Sequence, residues 1–292
     1  DTPSERDSLA DLDGHGWHLD RKRFEARLRS TAVARGAALL APAKAVGLTR
    51  STPGWVVKLE YGKRALTVTA RMILDCGGRT SGLLKPFGAE RRALDRLLCG
   101  WLFGVTAGGP TGSGSTYVES APDGWWYTSA LTDGRRVLAW HTDADLPSAA
   151  IVRARSSLLG KARTSPSLMA EIAGVWFDGV EPPRVTAAHS STLRPPAGDG
   201  WLAAGDAALS FDPLSSQGLF HALYTGLASA EAVDRSLSGD VSGLSDYVAR
   251  LAEIEAVYQR NLTGWYELER RWSSEEFWQR RSSKHPVVRA PG

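Results

Sequence analysis

Two spacings of apolar residues alternate along the chain. Trp55, Val57, Leu59 and Tyr61 fall on one side of a segment whose other side carries Val56, Lys58 and Glu60, and Leu66, Val68 and Ala70 resume the alternation after Gly62-Lys63. A period of two on both sides of a turn predicts a β-hairpin with one buried face. Residues 124–131 and 136–142 flank Asp133-Gly134, a pair that supplies the positive φ of a tight turn, and predict a second hairpin. Trp125, Tyr127, Ser129 and Leu131 share one of its faces; Trp126, Thr128 and Ala130 share the other. Spacing of three and four predicts helices elsewhere. Residues 20–35 repeat Phe24, Leu28 and Ala32, with Asp20 as N-cap and Gly36 as stop. A second helix runs from Gln217 through Leu223, Leu227 and Ala230 to about Leu237, where Gly239 ends it; a third repeats Leu244, Tyr247, Leu251 and Ile254 and continues through Trp265, Leu268 and Trp272. Short apolar runs at 37–40, 43–48, 71–74, 99–105 and 184–193 predict strands, and 84–98 and 146–163 read as partly helical.

With 292 residues the chain is long enough for roughly two domains and a core that needs no disulfides. Cys76 and Cys99 are its two cysteines, which fits a reducing cytoplasm. A net charge of +3 gives no reason to expect nucleic acid, and no apolar run is long enough to predict a membrane span. The interleaved aromatic and basic residues near the C-terminus are diluted by Glu267, Glu269, Glu275 and Glu276, so they read as a docked amphipathic helix. Residues 1–17 lack the basic and apolar regions of a secretory signal and read as an internal segment, the start of a truncated chain.

The stretch with most chemical content is WLAAGDAALSFDPLSSQGLFHAL, residues 201–223. A short apolar run leads to Gly205-Asp206, then to a turn at Pro213 and a helix start. Free N–H groups at such a start favour negative charge, and the Asp206 carboxylate can accept hydrogen bonds from sugar or ribityl hydroxyls. Taken alone, a capped strand-loop-helix explains the stretch equally well. Asp75-Cys76-Gly77-Gly78-Arg79-Thr80-Ser81 ends a strand with two glycines, which permit close approach of backbone to a ligand but also mark ordinary turns. Cys76 has no base nearby in sequence and reads as a packing residue. GGPTGSGS, residues 108–115, lacks the Lys-Ser/Thr of a phosphate loop and precedes a strand, so it reads as a loop. His15 and His18 have no later partner pair at metal-ligand spacing, His141, His189, His221 and His285 are scattered, and there is no G-x-S-x-G elbow.

GDAALSFDPLSSQG resembles the second FAD fingerprint of the flavoprotein monooxygenase and flavin-dependent halogenase superfamily. The resemblance implies FAD as cofactor, with Gly205 and Asp206 at the ribityl chain and Pro213, Gln217, Gly218 and Leu219 near the isoalloxazine. It implies that Asp75, Gly78, Arg79 and Thr80 pack on the FAD, and that Arg21, in a segment similar to the one preceding the family's helix, lies beside it. Trp125, Tyr127 and His141 would line the substrate wall. The implied fold class is α/β (α+β in overall look): a split βαβ-type FAD domain over 1–83 and 186–238, an inserted antiparallel substrate domain over 84–185, and C-terminal helices over 239–292. The G-x-G-x-x-G segment for the ADP pyrophosphate, absent from this sequence, would lie before residue 1. Halogenases carry Trp-x-Trp-x-Ile-Pro where this chain has Trp125-Trp126-Tyr127-Thr128-Ser129-Ala130. The hairpin, the fingerprint and the C-terminal segment look more like the flavoproteins that mature cysteine-tryptophylquinone amino-acid oxidases. The expected substrate is therefore an aromatic small molecule or a tryptophan-like side chain of a partner amino-acid oxidase; the alternatives are a small-molecule hydroxylase, a halogenase, or a non-catalytic fragment.

Overall fold

In a computed structural model the chain is described over residues 19–106, 116–177 and 181–282. The glycine-rich segment 108–115 and His15, His18 and His285 lie outside the described residues.

Helix α1 (Arg21–Ala34) begins where the Asp20 carboxylate accepts the Arg23 N–H at 3.0 Å and ends at Gly36, whose φ is +97°. None of its residues is buried and Phe24 is only partly covered, so its three-four spacing reaches no core. Residues 37–40 form no strand. Strands β1 (Ala43–Ser51), β2 (Gly54–Tyr61) and β3 (Arg64–Ala70) make an antiparallel meander. The expected buried face narrows to Trp55, whose indole N–H donates to the Gly200 carbonyl at 2.8 Å and whose ring meets Phe87 edge-on.

After β4 (Ile73–Asp75) the chain leaves this part of the molecule. The helical character expected over 84–98 reduces to a single 3-10 turn, Lys85–Phe87, closed by Gly88 at φ +85°. Residues beyond it form β5 (Glu90–Ala93), because their backbone groups find partners in a strand a hundred residues later. Strands β6 (Leu97–Thr106), β7 (Thr116–Ala121), β8 (Gly124–Ala130) and β9 (Arg135–Asp143) follow. Helices α2 (Arg155–Ala162) and α3 (Pro166–Glu171) come next, then β10 (Val175–Trp176) and β11 (Arg184–Ala187).

Six of these strands form one antiparallel sheet in the order β10-β6-β9-β8-β7, with β11 also paired to β6. One face packs Leu102, Trp126, Leu138 and Trp140 on Val152, Leu158 and Leu168 of the helical layer. Gly100 is required there, since a Cβ would stand 2.3 Å from Val152 Cβ. The other face carries Leu97, Cys99, Trp125 and Ala139 against Tyr266, Phe277 and Trp278 from the C-terminal segment.

The strand expected over 184–193 is two strands, because its halves serve different sheets: β11 extends the large sheet, whereas β12 (Ser191–Arg194) pairs with β5 and with β15 (Leu209–Ser210). Between them in sequence, β13 (Ala197–Gly198) and β14 (Trp201–Ala203) pair with each other, and β14 runs parallel to β4. Helices α4 (Gly218–Leu237), α5 (Gly243–Glu267) and α6 (Glu276–Gln279) complete the chain, with Gly239 at φ +94° after α4. Helix α5 buries Tyr247, Leu251, Tyr258 and Tyr266, and the helical spacing predicted on to Trp272 breaks after Glu267. The fold is thus mixed α/β, with a large antiparallel sheet inserted between the two strands of a parallel pair. Among the described residues no helix is long and apolar enough to cross a membrane.

Candidate functional site

The β4–β14 pair sets the site. Asp75 and Ala203 stand opposite each other at the carboxyl ends of parallel strands, and the Ala204 N–H donates to the Asp75 carbonyl at 3.0 Å. Each strand then runs into a glycine turn, so two turns separated by about 130 residues of sequence lie side by side, at the end of a parallel sheet where α/β folds bind ligands.

In the first turn the buried Asp75 carboxylate folds back on its own backbone, accepting the Gly77 N–H at 2.9 Å and the Ser81 hydroxyl at 2.6 Å. A Cβ on Gly77 would sit 3.0 Å from both Asp75 Oδ1 and Ser81 Oγ, and Gly78 adopts φ +79°. Arg79 leaves this turn and crosses to the second part of the chain, donating to the carbonyls of Ala187 at 2.6 Å and Phe211 at 3.0 Å. Its guanidinium stands 3.7 Å from the Asp206 carboxylate. Its Nε is buried with no partner. An open cleft of about 590 Å³ borders this turn on the meander side, lined by Val46, Leu48, Leu74, Asp75, Gly77 and Leu83 among others. Thr80 is exposed; Cys76 lines the cleft and is exposed as a residue, and partial burial of its sulfur and the Asp75 charge raise the thiol, which is therefore no activated nucleophile.

The second turn is held from two sides. Gly205, at φ +58°, donates its N–H to Thr225 Oγ1 at 2.9 Å, and that hydroxyl donates to the His221 carbonyl at 2.7 Å, which clamps the turn onto α4. Burial pulls the His221 imidazole down, with Asp206 opposing. From below, Arg91 donates to the carbonyls of Asp206 at 3.3 Å and Ala207 at 2.6 Å. With its backbone fixed, the Asp206 carboxylate keeps 38% of its side-chain surface open.

Pro213 opens a 3-10 turn, Pro213–Ser215, capped by the Asp212 carboxylate through the Leu214 N–H at 2.8 Å. Helix α4 begins immediately afterwards. Its N-cap, Gln217, makes no side-chain capping bond, so the first amides of Gly218 and Leu219 are left to a ligand or to water. Gln217 and Gly218 are exposed and Leu219 half-exposed.

The structure therefore brings together Asp75, Gly78, Arg79, Gly205 and Asp206, with Pro213, Gln217, Gly218 and Leu219 on the turn joined to Arg79 through Phe211. Arg21 is not drawn into this group: it is exposed and pairs with Glu25 one turn along α1 at 2.8 Å. Trp125 and His141, neighbours across β8 and β9, stack with ring centres 3.6 Å apart and are 2% and 4% exposed. Both lie under the C-terminal segment, so in this conformation neither offers a surface to a ligand; Tyr127 is half-exposed on the same face. His141 Nδ1 has no partner, and burial lowers its pKa to about 3. Sequence reasoning passed over Arg91, Thr225, Tyr258 and Tyr266, which fix the turns through contacts far apart in sequence. Asp212 alone had a local signal, a short acidic side chain before proline at a turn.

The donor set suits a flavin nucleotide: an exposed carboxylate for hydroxyls, an arginine with an unpaired buried N–H, glycines at φ +79° and +58° that leave the two turns without side chains, and uncapped helix amides for an anionic ring edge.

No family model matches the chain. Among curated proteins it is 29% identical over 284 residues to “Putative FAD-dependent oxidoreductase LodB” of Marinomonas mediterranea, spanning 94% of this chain and 73% of that protein. Among solved structures it superimposes on the myxobacterial chondrochloren halogenase CndH with a TM-score of 0.83 at 18% identity, over 94% of this chain and 65% of that one. The flavin-dependent halogenase CmlS gives 0.77 at 22% identity, over 90% and 49%. QhpG, a peptidyl tryptophan dihydroxylase essential for tryptophylquinone cofactor biogenesis, gives 0.75 at 23% identity, over 93% and 61%. The chain thus spans about half to two thirds of the length of these solved relatives. Along nearly its whole length the chain is similar in sequence to LodB, it shares its fold with flavin-dependent halogenases and a peptidyl tryptophan dihydroxylase, and its donor set suits a flavin.

Proposed function

We propose that this chain supplies the flavin end and the substrate wall of a monooxygenase that oxidises a tryptophan side chain of a partner protein during maturation of a quinone cofactor. The observation that carries the reading is the parallel β4–β14 pair, which sets Asp75, Arg79 and Asp206 in one group and aims the uncapped start of α4 beside it. Likeness to LodB and to a peptidyl tryptophan dihydroxylase supports a protein-borne substrate.

When bound, FAD in its reduced form supplies the two electrons that let one atom of dioxygen enter the ring while the other leaves as water. The residues have narrower tasks. Asp206 accepts hydrogen bonds from the ribityl hydroxyls, with the Arg79 guanidinium 3.7 Å from its carboxylate. The first amides of α4 stabilise negative charge on the flavin pyrimidine edge through their unpaired N–H groups and the helix dipole. Gly78 lets backbone approach the cofactor. Tyr127 is the aromatic contact available to substrate, with Trp125 and His141 backing it. In domain terms, 1–83 and 186–238 hold the cofactor, 84–185 forms the substrate wall, and 239–292 closes the far side.

A second reading, small-molecule halogenation or hydroxylation, is favoured by the high TM-score with CndH. Co-expressing the whole flavoprotein with its oxidase partner, with and without oxygen, and measuring the partner's intact mass separates them. Oxygen-dependent addition of oxygen atoms at a tryptophan supports the proposal. An unmodified partner, together with turnover of a free aromatic compound, favours the second reading. Whole protein that is colourless and takes up no added FAD sinks both.

A further inference from the structure

We propose that Tyr266 is a positioning residue: from the end of α5, its single hydroxyl ties the aromatic face of the large sheet to the turn that launches α4. The role assigned to that turn rests on the flavin seat proposed above, but the tie itself does not.

Tyr266 is buried, and its hydroxyl has a partner on each side. It donates to Asp212 Oδ2 at 2.7 Å and accepts from the Trp125 indole N–H at 3.2 Å. The direction is fixed by chemistry, since an indole only donates and a carboxylate only accepts. Asp212 in turn has every polar atom engaged. Oδ1 takes the Leu214 N–H, its carbonyl takes the Ser215 N–H and hydroxyl, and its own N–H donates to the Tyr258 hydroxyl at 2.7 Å. The Tyr258 hydroxyl is also 2.7 Å from Ser190 Oγ. Directly after this turn Ser216 adopts φ +54°, a left-handed conformation that a non-glycine residue keeps only when its surroundings hold it there. Two tyrosines of α5 therefore grip one aspartate, and that aspartate shapes the five residues before α4.

The charged and titratable groups facing Asp212 come from three directions: Asp95 ahead of β6, Arg281 beyond α6, and the neutral hydroxyls of Tyr258 and Tyr266. Burial and Asp95 lift the carboxyl to about 6, with Arg281 opposing. Arg281 itself lies over the Tyr266 ring at 5.2 Å and pairs with Asp143 at the end of β9 at 2.5 Å. The hydroxyl of Tyr266 thus sits where the large sheet, the C-terminal segment and the α4 turn meet. Removing it leaves an indole N–H and a carboxylate oxygen buried without those partners, and the consequence falls on the turn, since Asp212 is what holds it.

The test is Tyr266→Phe in the whole protein, read first by hydrogen exchange without added cofactor and then by the affinity and visible circular dichroism of bound FAD. The tie predicts about tenfold faster exchange of the hydrogen-bonded Leu214, Ser215 and Ser216 amides with the β2–β3 amides unchanged, together with several-fold weaker FAD binding and an altered flavin dichroism band. Uniform acceleration across the chain, or a lowered Tm with these three amides and the flavin band unchanged, would overturn it. If Tyr266→Phe does not fold, Trp125→Phe keeps the tyrosine and removes its indole donor together with part of the buried ring; it predicts a smaller acceleration that includes the same amides, and no change there overturns the tie. Wild-type protein that binds no FAD would refute the flavin seat while the exchange arm still decides on Tyr266.

Discussion

At the residue scale, Asp206 and His141 make opposite uses of burial. Asp206 is held by its backbone through Arg91 and keeps its carboxylate open beside Arg79. Replacing it by alanine removes the acceptor without disturbing that backbone, so Asp206→Ala is expected to weaken FAD binding about tenfold to a hundredfold, the effect of losing charged hydrogen bonds of roughly 1.5–3 kcal/mol; a fluorescence titration giving the wild-type Kd would contradict the assignment. His141 is kept neutral by burial, with a pKa of about 3 against an ordinary 6.5. The unfolded chain binds a proton there below pH 6.5 that the folded chain refuses, so stability from this residue is full above pH 6.5 and falls as pH drops toward 3. His141→Phe preserves a ring on Trp125 and removes the titration. Thermal melts from pH 4 to pH 8 should show the wild type losing stability toward acid by a margin of order a few kcal/mol that the variant lacks; parallel curves would count against it.

At the element scale, local signals were legible and long-range ones were not. Asp20 as a cap, Gly36 and Gly239 as stops and Asp133-Gly134 as a hairpin turn act within a few residues, and each appears where the sequence places it. Residues 90–93 fall in a stretch, 84–98, that reads as partly helical because nothing near them reveals a partner in β12, and 184–193 read as one strand because its division follows from two sheets meeting there. The candidate site divides in the same way. Its glycines and acids stand out in the sequence, whereas Thr225, Arg91 and Tyr266 enter only through contacts made by the fold. Thr225→Val keeps the shape of the side chain but leaves the Gly205 N–H buried and unpaired. It should cost about 1–3 kcal/mol in denaturant unfolding and weaken FAD binding, while a change under a few tenths would show that the clamp on α4 is dispensable. In the large sheet, a Cβ at Gly124 would stand 2.0 Å from the His141 carbonyl oxygen. Gly124→Ala is therefore expected to lower the melting temperature sharply or to prevent folding, and a variant melting like wild type would mean the β8–β9 register is wrong.

At the scale of the whole molecule, a parallel strand pair is interrupted by a large antiparallel sheet, and α5 links that sheet to the turn before α4 through Tyr258 and Tyr266. The C-terminal segment is fastened to the large sheet by ion pairs of Arg280 with Asp143 and Asp145 and of Arg281 with Asp143, so both arginines are engaged in structure. The central claim is that this assembly oxidises a tryptophan in another protein. It is tested most directly by adding isotopically labelled dioxygen to the reduced, FAD-loaded whole protein with its oxidase partner and mapping label in the partner by peptide mass spectrometry. The account predicts label on a tryptophan destined for the quinone, greatly reduced with Asp206→Ala. A partner that matures without label, or that is labelled equally when the flavoprotein is left out, would contradict it.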